Sequence, residues 1–396
     1  MPPSQEQLVS ETEALLAAVK EYDGDRAKRM ALMRRLDLLY LELEDPQDSM
    51  NRQWSFMNAA SSLNVMVETG TFEKMPREGS ISAKDLAALT NVEPSVIVRL
   101  MRILVANGII EETGEDTYAH TDKSLLYMPG AEVEYFRLCV NMMNAYMKLP
   151  EYLKTHTADD LVDLRKTPYS VAYGREGLTF YEVLTETKER FMMFNKAMMQ
   201  QEAQLPTLGM FPFTSLEEQV KNEPERAFIV DVGGGRGQSL LAIGGETSGA
   251  YGAKMVLQDR PQVLDSIPDG MLPGVEKMAY DFYTPQPVKN AHIYLVRRIM
   301  HNYQDDVCIK ILSNVAQAMG PTSRVLIGEA VISDKTVVAG DSSAYWMDAV
   351  MLQIGGKERS KKDYIKILEP AGLELVKIWP AAAGHQAIVE AKLKST

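Results

Sequence analysis

From residue 227 onward, short apolar runs alternate with stretches of helical periodicity, and this alternation limits the fold more than any other feature of the chain. The runs cover 228–232, 254–258, 276–280, 292–297, 324–330, 372–379 and 385–391, with helical stretches such as 305–319 and 360–370 between them. Repeated strand–helix units build a mostly parallel sheet with helices on both faces. The last two runs are joined only by Pro380-Ala381-Ala382-Ala383-Gly384-His385. That link is too short for a parallel crossover, so the final two strands pair as an antiparallel hairpin. The expectation is an α/β domain with a Rossmann-like sheet of seven strands, the last one reversed.

The N-terminal part reads differently. Residues 5–45 carry Glu, Arg and Leu at helical spacing and end at Asp45-Pro46, as one or two amphipathic helices. Such a terminal pair is either a dimerisation arm or a solvated cap. A second helical block covers 51–75. Ser82 then caps a short helix, Glu93-Pro94-Ser95 starts another that stops near Gly108, and a turn at 113–116 closes a hairpin. Helix, turn, helix and hairpin read as a winged helix. Residues 131–226 are mostly helical and rich in methionine, including Met142, Met143, Met147, Met192, Met193, Met198, Met199 and Met210. Thioethers suit a pocket for a flat apolar molecule and serve equally as core filler. The polar stretch Ser215–Arg226 marks a boundary. The chain therefore divides into a helical arm and winged helix (1–130), a helical linker and pocket region (131–226) and a catalytic domain (227–396).

Composition narrows the function. At 396 residues and 45% hydrophobic content, two domains with proper cores are feasible. A net charge of −12 argues against a nucleic-acid surface, and so favours a structural or dimerising winged helix. Cys139 and Cys308 offer neither a zinc spacing nor a disulfide framework, as expected in a reducing compartment. No basic–apolar leader opens the sequence, and no apolar run approaches the ~20 residues of a membrane span. A soluble cytoplasmic protein is expected.

The candidate chemistry lies at the carboxyl ends of the strands, where open α/β sheets bind ligands. Gly233, Gly235 and Gly237 follow the first strand of the alternating region, and glycines there let the backbone approach a ligand. Their spacing departs from the dinucleotide fingerprint, which ends Gly-x-x-Gly, whereas this turn ends Gly235-Arg236-Gly237. Asp259 ends the second run and can accept bonds from ribose hydroxyls, or else caps the helix at Pro261. Asp281, at the end of the third run, and Phe282 suit an adenine, one for its amine and one for its ring face. Of five histidines, only His301 follows the fourth strand, where an imidazole with pKa near ~6.5 can take a proton from a polarised hydroxyl. Glu329, placed at the end of the fifth strand, and Glu358, after a Gly-Gly turn, are each either a partner for that imidazole or a surface charge. No His/Asp/Glu cluster suggests a metal.

Val230-Asp231-Val232-Gly233-Gly234-Gly235-Arg236-Gly237, Arg297-Arg298-Ile299-Met300-His301-Asn302-Tyr303 and Gly355-Gly356-Lys357-Glu358-Arg359 together resemble S-adenosylmethionine-dependent O-methyltransferases of the plant caffeate type and their fungal secondary-metabolite relatives. The resemblance runs from about residue 50 to the end. It implies a winged-helix dimerisation domain, a homodimer, S-adenosylmethionine as cofactor and an aromatic small-molecule acceptor. It places Asp231 with Gly233, Gly235 and Gly237 around the methionine half of the cofactor, Asp259 at the ribose, Asp281 and Phe282 at the adenine, and Arg297 where a cofactor-contacting lysine is common. His301 falls on the general base, Glu329 and Glu358 on the glutamates flanking it, and Met351 on a methionine that clamps the acceptor. Two positions depart: the usual His-Asp-Trp is His301-Asn302-Tyr303, and the segment from Met351 to Gly355 is shorter. Both concern the acceptor more than the chemistry. The alternatives are a fold relative that keeps the cofactor for a pericyclic or decarboxylative step, and a winged-helix regulator.

Overall fold

The first elements form where capping chemistry and apolar period agree. The computed structural model describes residues 4–130, 132–339, 342–382 and 384–395, with backbone alone at 202–204. Two compact units emerge. One gathers the described residues up to Glu21, Arg35–Met147 and Tyr181–Gln204; the other gathers Tyr22–Arg34, Lys148–Phe180 and the described residues from Leu205 onward.

In the first unit, Asp45 and Asp48 cap each other's backbone at the start of helix Pro46–Glu68, which places Pro46 in the first turn, where no N–H is missed. Ser82 accepts the Asp85 N–H (3.1 Å) and starts helix Ala83–Thr90, and Glu93 caps helix Pro94–Ala106. Strands β1 (Ile81–Ser82), β2 (Ile110–Gly114) and β3 (Thr117–His120) form a small antiparallel sheet in the order β1-β3-β2. Leu63, Met66, Phe72, Leu86, Ile97, Met101, Leu104 and Tyr118 fill the core between helices and sheet. This is a winged helix. Helices Gln5–Lys20 and Arg26–Leu43 bury no residue at all, and Trp54, Phe56 and Met57 on the next helix are also exposed. Of the methionines on helices Val133–Tyr146 and Lys188–Gln204, Met142 is buried while Met143, Met192 and Met199 are exposed, as is Met147 just past the first helix.

The second unit is built on the alternating region. Its strands are β4 (Ile229–Val232), β5 (Met255–Asp259), β6 (Val275–Ala279), β7 (Ile293–Arg297), β8 (Arg324–Ile332), β9 (Arg359–Ser360), β10 (Leu373–Pro380) and β11 (Gln386–Leu393). Seven of them run in the order β10-β11-β8-β7-β4-β5-β6, and the two-residue β9 pairs with β8 outside that path. Pairings from β6 to β8 are parallel, whereas β11 is antiparallel to both β8 and β10, as the short link requires. Side chains alternate across the pleat. Val230 and Val232 therefore join a core with Ile311, Val315 and Ile367, while Ile229 and Leu257 join another with Leu240 and Ile243. The polar stretch Ser215–Arg226 is largely helical: helix Glu217–Asn222 lies within it, and Leu216 and Val220 are buried in the second core. Strand order reverses at β4, between β5 and β7, which puts the crevice of the sheet beyond Val232 and Arg297.

Candidate active site

β4 ends in the glycine turn. Gly233, Gly235 and Gly237 have φ of +70°, +59° and +80°. The N–H groups of Gly233 and Gly234 donate to the carbonyl of Gln258 (2.8 and 3.1 Å), so the turn folds back on β5. Gly234, not singled out in the sequence, is the tightest position: a Cβ there would stand 2.4 Å from the buried carboxylate of Asp231 and 2.6 Å from Leu257. At Gly235 a Cβ would meet nothing within 4 Å, so the backbone borders open space.

Asp259 ends β5. Its Oδ2 accepts the Gly235 N–H (2.9 Å) and its Oδ1 accepts the Arg260 N–H (2.7 Å). It caps no helix: helix Pro261–Asp265 has Arg260 at its start and no side-chain cap. Asp281 lies two residues past the end of β6, and its Oδ1 accepts the Tyr283 N–H (3.0 Å). Phe282 presents its ring edge-on to Tyr283 (4.9 Å) and Tyr303 (6.0 Å), and it lies beside the Gly233 turn. Its loop is moored by a pair that composition hides: the buried amides of Gln258 and Gln286 exchange two hydrogen bonds of 2.8 Å. Arg297, at the end of β7, reaches Ser239 Oγ (3.4 Å) and the Leu205 carbonyl (3.2 Å).

His301 stands in a tight turn, Met300–Asn302, four residues past β7. Its Nδ1 lies 3.0 Å from Glu358 Oε1 and 3.5 Å from Glu329 Oε2. Its side chain is 12% exposed, against 1% for each glutamate side chain. Glu329 is not at the end of its strand. β8 runs three residues further, because β11 pairs along one side of it (Ala387 opposite Glu329) and β9 reaches Val331 and Ile332. From there Glu329 Oε1 accepts the N–H groups of Ile299 and Met300 (both 2.8 Å) and of His301 (3.4 Å), so one carboxylate holds both the turn and its imidazole. With Nδ1 facing two carboxylates, the ring proton belongs on that nitrogen. Nε2 has no hydrogen-bond partner among the described residues.

The electrostatics follow. Burial alone would push the His301 pKa down, but Glu329 and Glu358 outweigh it, and the net shift is upward. Burial pushes Glu329 up as well, against the pull of His301 and the backbone N–H groups. Ligand atoms of His301, Glu329 and Glu358 lie within 4.8 Å of one another, the spacing of a metal site. That cluster was not legible in the sequence, and within it Nδ1 of His301 is already engaged by Glu358.

Gly355–Arg359 braces this arrangement. A Cβ on Gly356 would stand 2.2 Å from the His301 carbonyl, and that carbonyl accepts the Lys357 N–H (2.9 Å). Arg359, in the quoted motif but given no role by sequence reading, is fully buried. It donates to the carbonyls of Met300 (2.7 Å) and Tyr303 (2.8 Å) and to Asp305 Oδ1 (2.8 Å). Burial would raise the Asp305 carboxyl, but bonds from Arg359 and Lys357 hold it below its ordinary value. Asp348 accepts the Glu358 N–H (2.8 Å), and burial raises its pKa. Met351 is buried on helix Ser343–Leu352, three residues along from Asp348. Two other histidines have local structural partners: His120 contacts Ser124 Oγ (2.8 Å) and His156 stacks on Tyr152 (4.0 Å).

Among the described residues no helix is long and apolar enough to cross a membrane. A family model for the O-methyltransferase domain matches residues 152–374, and one for the O-methyltransferase dimerisation domain matches 54–130. The O-methyltransferase hmp5 of Hypomyces subiculosus is 48% identical over 399 residues, spanning 100% of both chains. A solved structure of OxaC in complex with SAH and oxaline is 27% identical with a TM-score of 0.82, covering 98% of this chain and 99% of that one. A structure described as a pericyclic reaction enzyme shares the fold, with a TM-score of 0.83 at 24% identity over 99% of this chain and 100% of that one.

Proposed function

The chain belongs to the O-methyltransferase family, whose cofactor is S-adenosylmethionine, and on that premise we propose that it methylates a hydroxyl of an aromatic, polyketide-like small molecule with His301 as general base. The carrying observation is the imidazole's orientation: Nδ1 engaged by Glu358 and Glu329, Nε2 unengaged. An imidazole so held keeps a lone pair on Nε2 for the acceptor's proton, and the carboxylates stabilise the imidazolium that results.

The glycine turn fits the cofactor, because the backbone at Gly235 borders open space beside the Asp259 carboxylate that accepts its N–H. Asp231 with Gly233, Gly235 and Gly237 would hold its methionine half, Asp259 its ribose hydroxyls, and Asp281 and Phe282 its adenine, with Arg297 nearby. Bound there, S-adenosylmethionine supplies a methyl already activated on a sulfonium. The chain's own task is alignment and removal of one proton. Glu329 and Glu358 orient the base, Met351 clamps the acceptor ring, and Tyr303 takes any stacking role of the usual tryptophan.

The enzyme acts as a cytoplasmic homodimer. The dimerisation-domain match and the unburied apolar residues of the N-terminal helices support the dimer, and the unpaired thiols Cys139 and Cys308 suit a reducing compartment. Net charge −12 speaks against a nucleic-acid partner. The test is incubation with labelled cofactor and a panel of phenols and polyketide aromatics, with products read by mass spectrometry. A methyl gained on oxygen supports the reading. Conversion of the natural substrate with no methyl gained replaces it with the pericyclic or decarboxylative one.

A further inference from the structure

We infer that Arg236 is the carboxylate anchor of the cofactor site, its guanidinium receiving the α-carboxylate of the methionine half of S-adenosylmethionine. The inference rests on the cofactor reading above. Arg236 stands between Gly235 and Gly237, where helix Gln238–Glu246 begins. Its Nε is buried and donates to no acceptor. Among the described residues the guanidinium makes no hydrogen bond or ion pair.

That isolation is informative because carboxylates are close at hand. Asp259 accepts the N–H of the preceding residue, and Asp231 lies directly beneath Gly234, yet Arg236 pairs with neither. Buried polar groups find partners in folded proteins, and an orphaned donor points to a partner that arrives with a ligand. The Nε–H and a neighbouring Nη–H form a planar fork that matches both oxygens of a carboxylate. The backbone next to the fork borders open space at Gly235, and the helix start adds its own attraction for an anion. The cofactor has a single anionic group, the α-carboxylate, and it belongs to the half read as lying against this turn. The nucleoside half has none. An arginine at this position therefore discriminates the amino-acid end of the ligand.

The test uses the full chain and two probes. S-adenosylhomocysteine carries the amino-acid tail, and 5′-methylthioadenosine carries the nucleoside and thioether without it. By calorimetry, Arg236→Gln should weaken S-adenosylhomocysteine about 10- to 100-fold and leave methylthioadenosine within about twofold, the range of one charge-assisted hydrogen-bonded pair. Arg236→Lys, which keeps the charge without the fork, should fall between. Equal affinity of wild type and Arg236→Gln for S-adenosylhomocysteine overturns the inference. So does an equal loss for both probes, which would make Arg236 a support for the shape of the turn. A wild type that binds neither probe overturns the cofactor reading itself, a result distinct from either of these.

Discussion

Nδ1 of His301 and Oε1 of Glu358 lie 3.0 Å apart although the residues are 57 positions apart in the chain, and the contact fixes which imidazole nitrogen is engaged. Free phenols have pKa near ~10, so little phenolate exists at pH 7, and a positioned base typically adds 10²–10⁴-fold. His301→Gln should therefore lower single-turnover methyl transfer by about that factor, with cofactor affinity by calorimetry nearly unchanged. Full transfer by the variant to a phenol of ordinary acidity would remove the base assignment.

The pH dependence follows from the raised pKa of His301. Only the neutral imidazole accepts a proton, so kcat/KM should rise with pH through an apparent pKa above the ordinary ~6.5. Burial opposes the imidazolium and the two carboxylates favour it, so Glu329→Gln should move that limb downward. Stability carries the same sign. The charged pair contributes fully below about pH 6.5, and its contribution fades as pH rises through the folded value. Urea unfolding across that window should be flatter in Glu329→Gln; an unshifted limb and an unchanged stability slope would count against the coupling.

Asp259 serves the cofactor site twice, through the Gly235 N–H and, as proposed, through the ribose. Asp259→Ala should weaken S-adenosylmethionine binding by roughly 1.5–3 kcal/mol, the size of a charge-assisted hydrogen bond. Gly234→Ala should weaken it too, because its Cβ would overlap Asp231 at 2.4 Å. Calorimetry showing wild-type affinity in Asp259→Ala would remove the ribose assignment.

Arg359 ties the carbonyls of Met300 and Tyr303 to Asp305. Arg359→Leu strands both carbonyls, while Asp305 keeps Lys357 (3.0 Å). It should cost about 1–3 kcal/mol in denaturant unfolding, the penalty of leaving buried carbonyls without their donor. Arg359→Lys should cost less, yet still slow methyl transfer by loosening the turn that carries His301.

Helices that bury none of their residues need a cover, and the proposed cover is a second copy of the chain. Light scattering at micromolar concentration should give twice the mass of one chain. Trp54→Asp, at a position now 65% exposed, should shift the protein toward monomer. Salt-dependent DNA binding should be absent.

Most of the architecture was legible in the chain because its signals are local. Strand period, the helix caps at Ser82 and Glu93, the glycine turn and the short link before β11 each act within a few residues, and local sterics decide them. The order of the site residues along the chain was equally plain. What the chain could not show is what those residues touch. Asp259 reads as either a helix cap or a ligand-binding carboxylate until the fold gives it the Gly235 N–H. Glu329 reads as a strand end until pairing with β11 carries β8 past it and leaves its carboxylate under the His301 turn. Arg359 and the Gln258–Gln286 pair had no sequence signal of their own, because their partners lie 28 to 59 positions away and burial alone makes those hydrogen bonds necessary. The sequence determined which groups reach the carboxyl edge of the sheet. Only the tertiary structure decided which imidazole nitrogen is held and which is left available, since that depends on distant carboxylates brought within about 3 Å in a place where water cannot take their role.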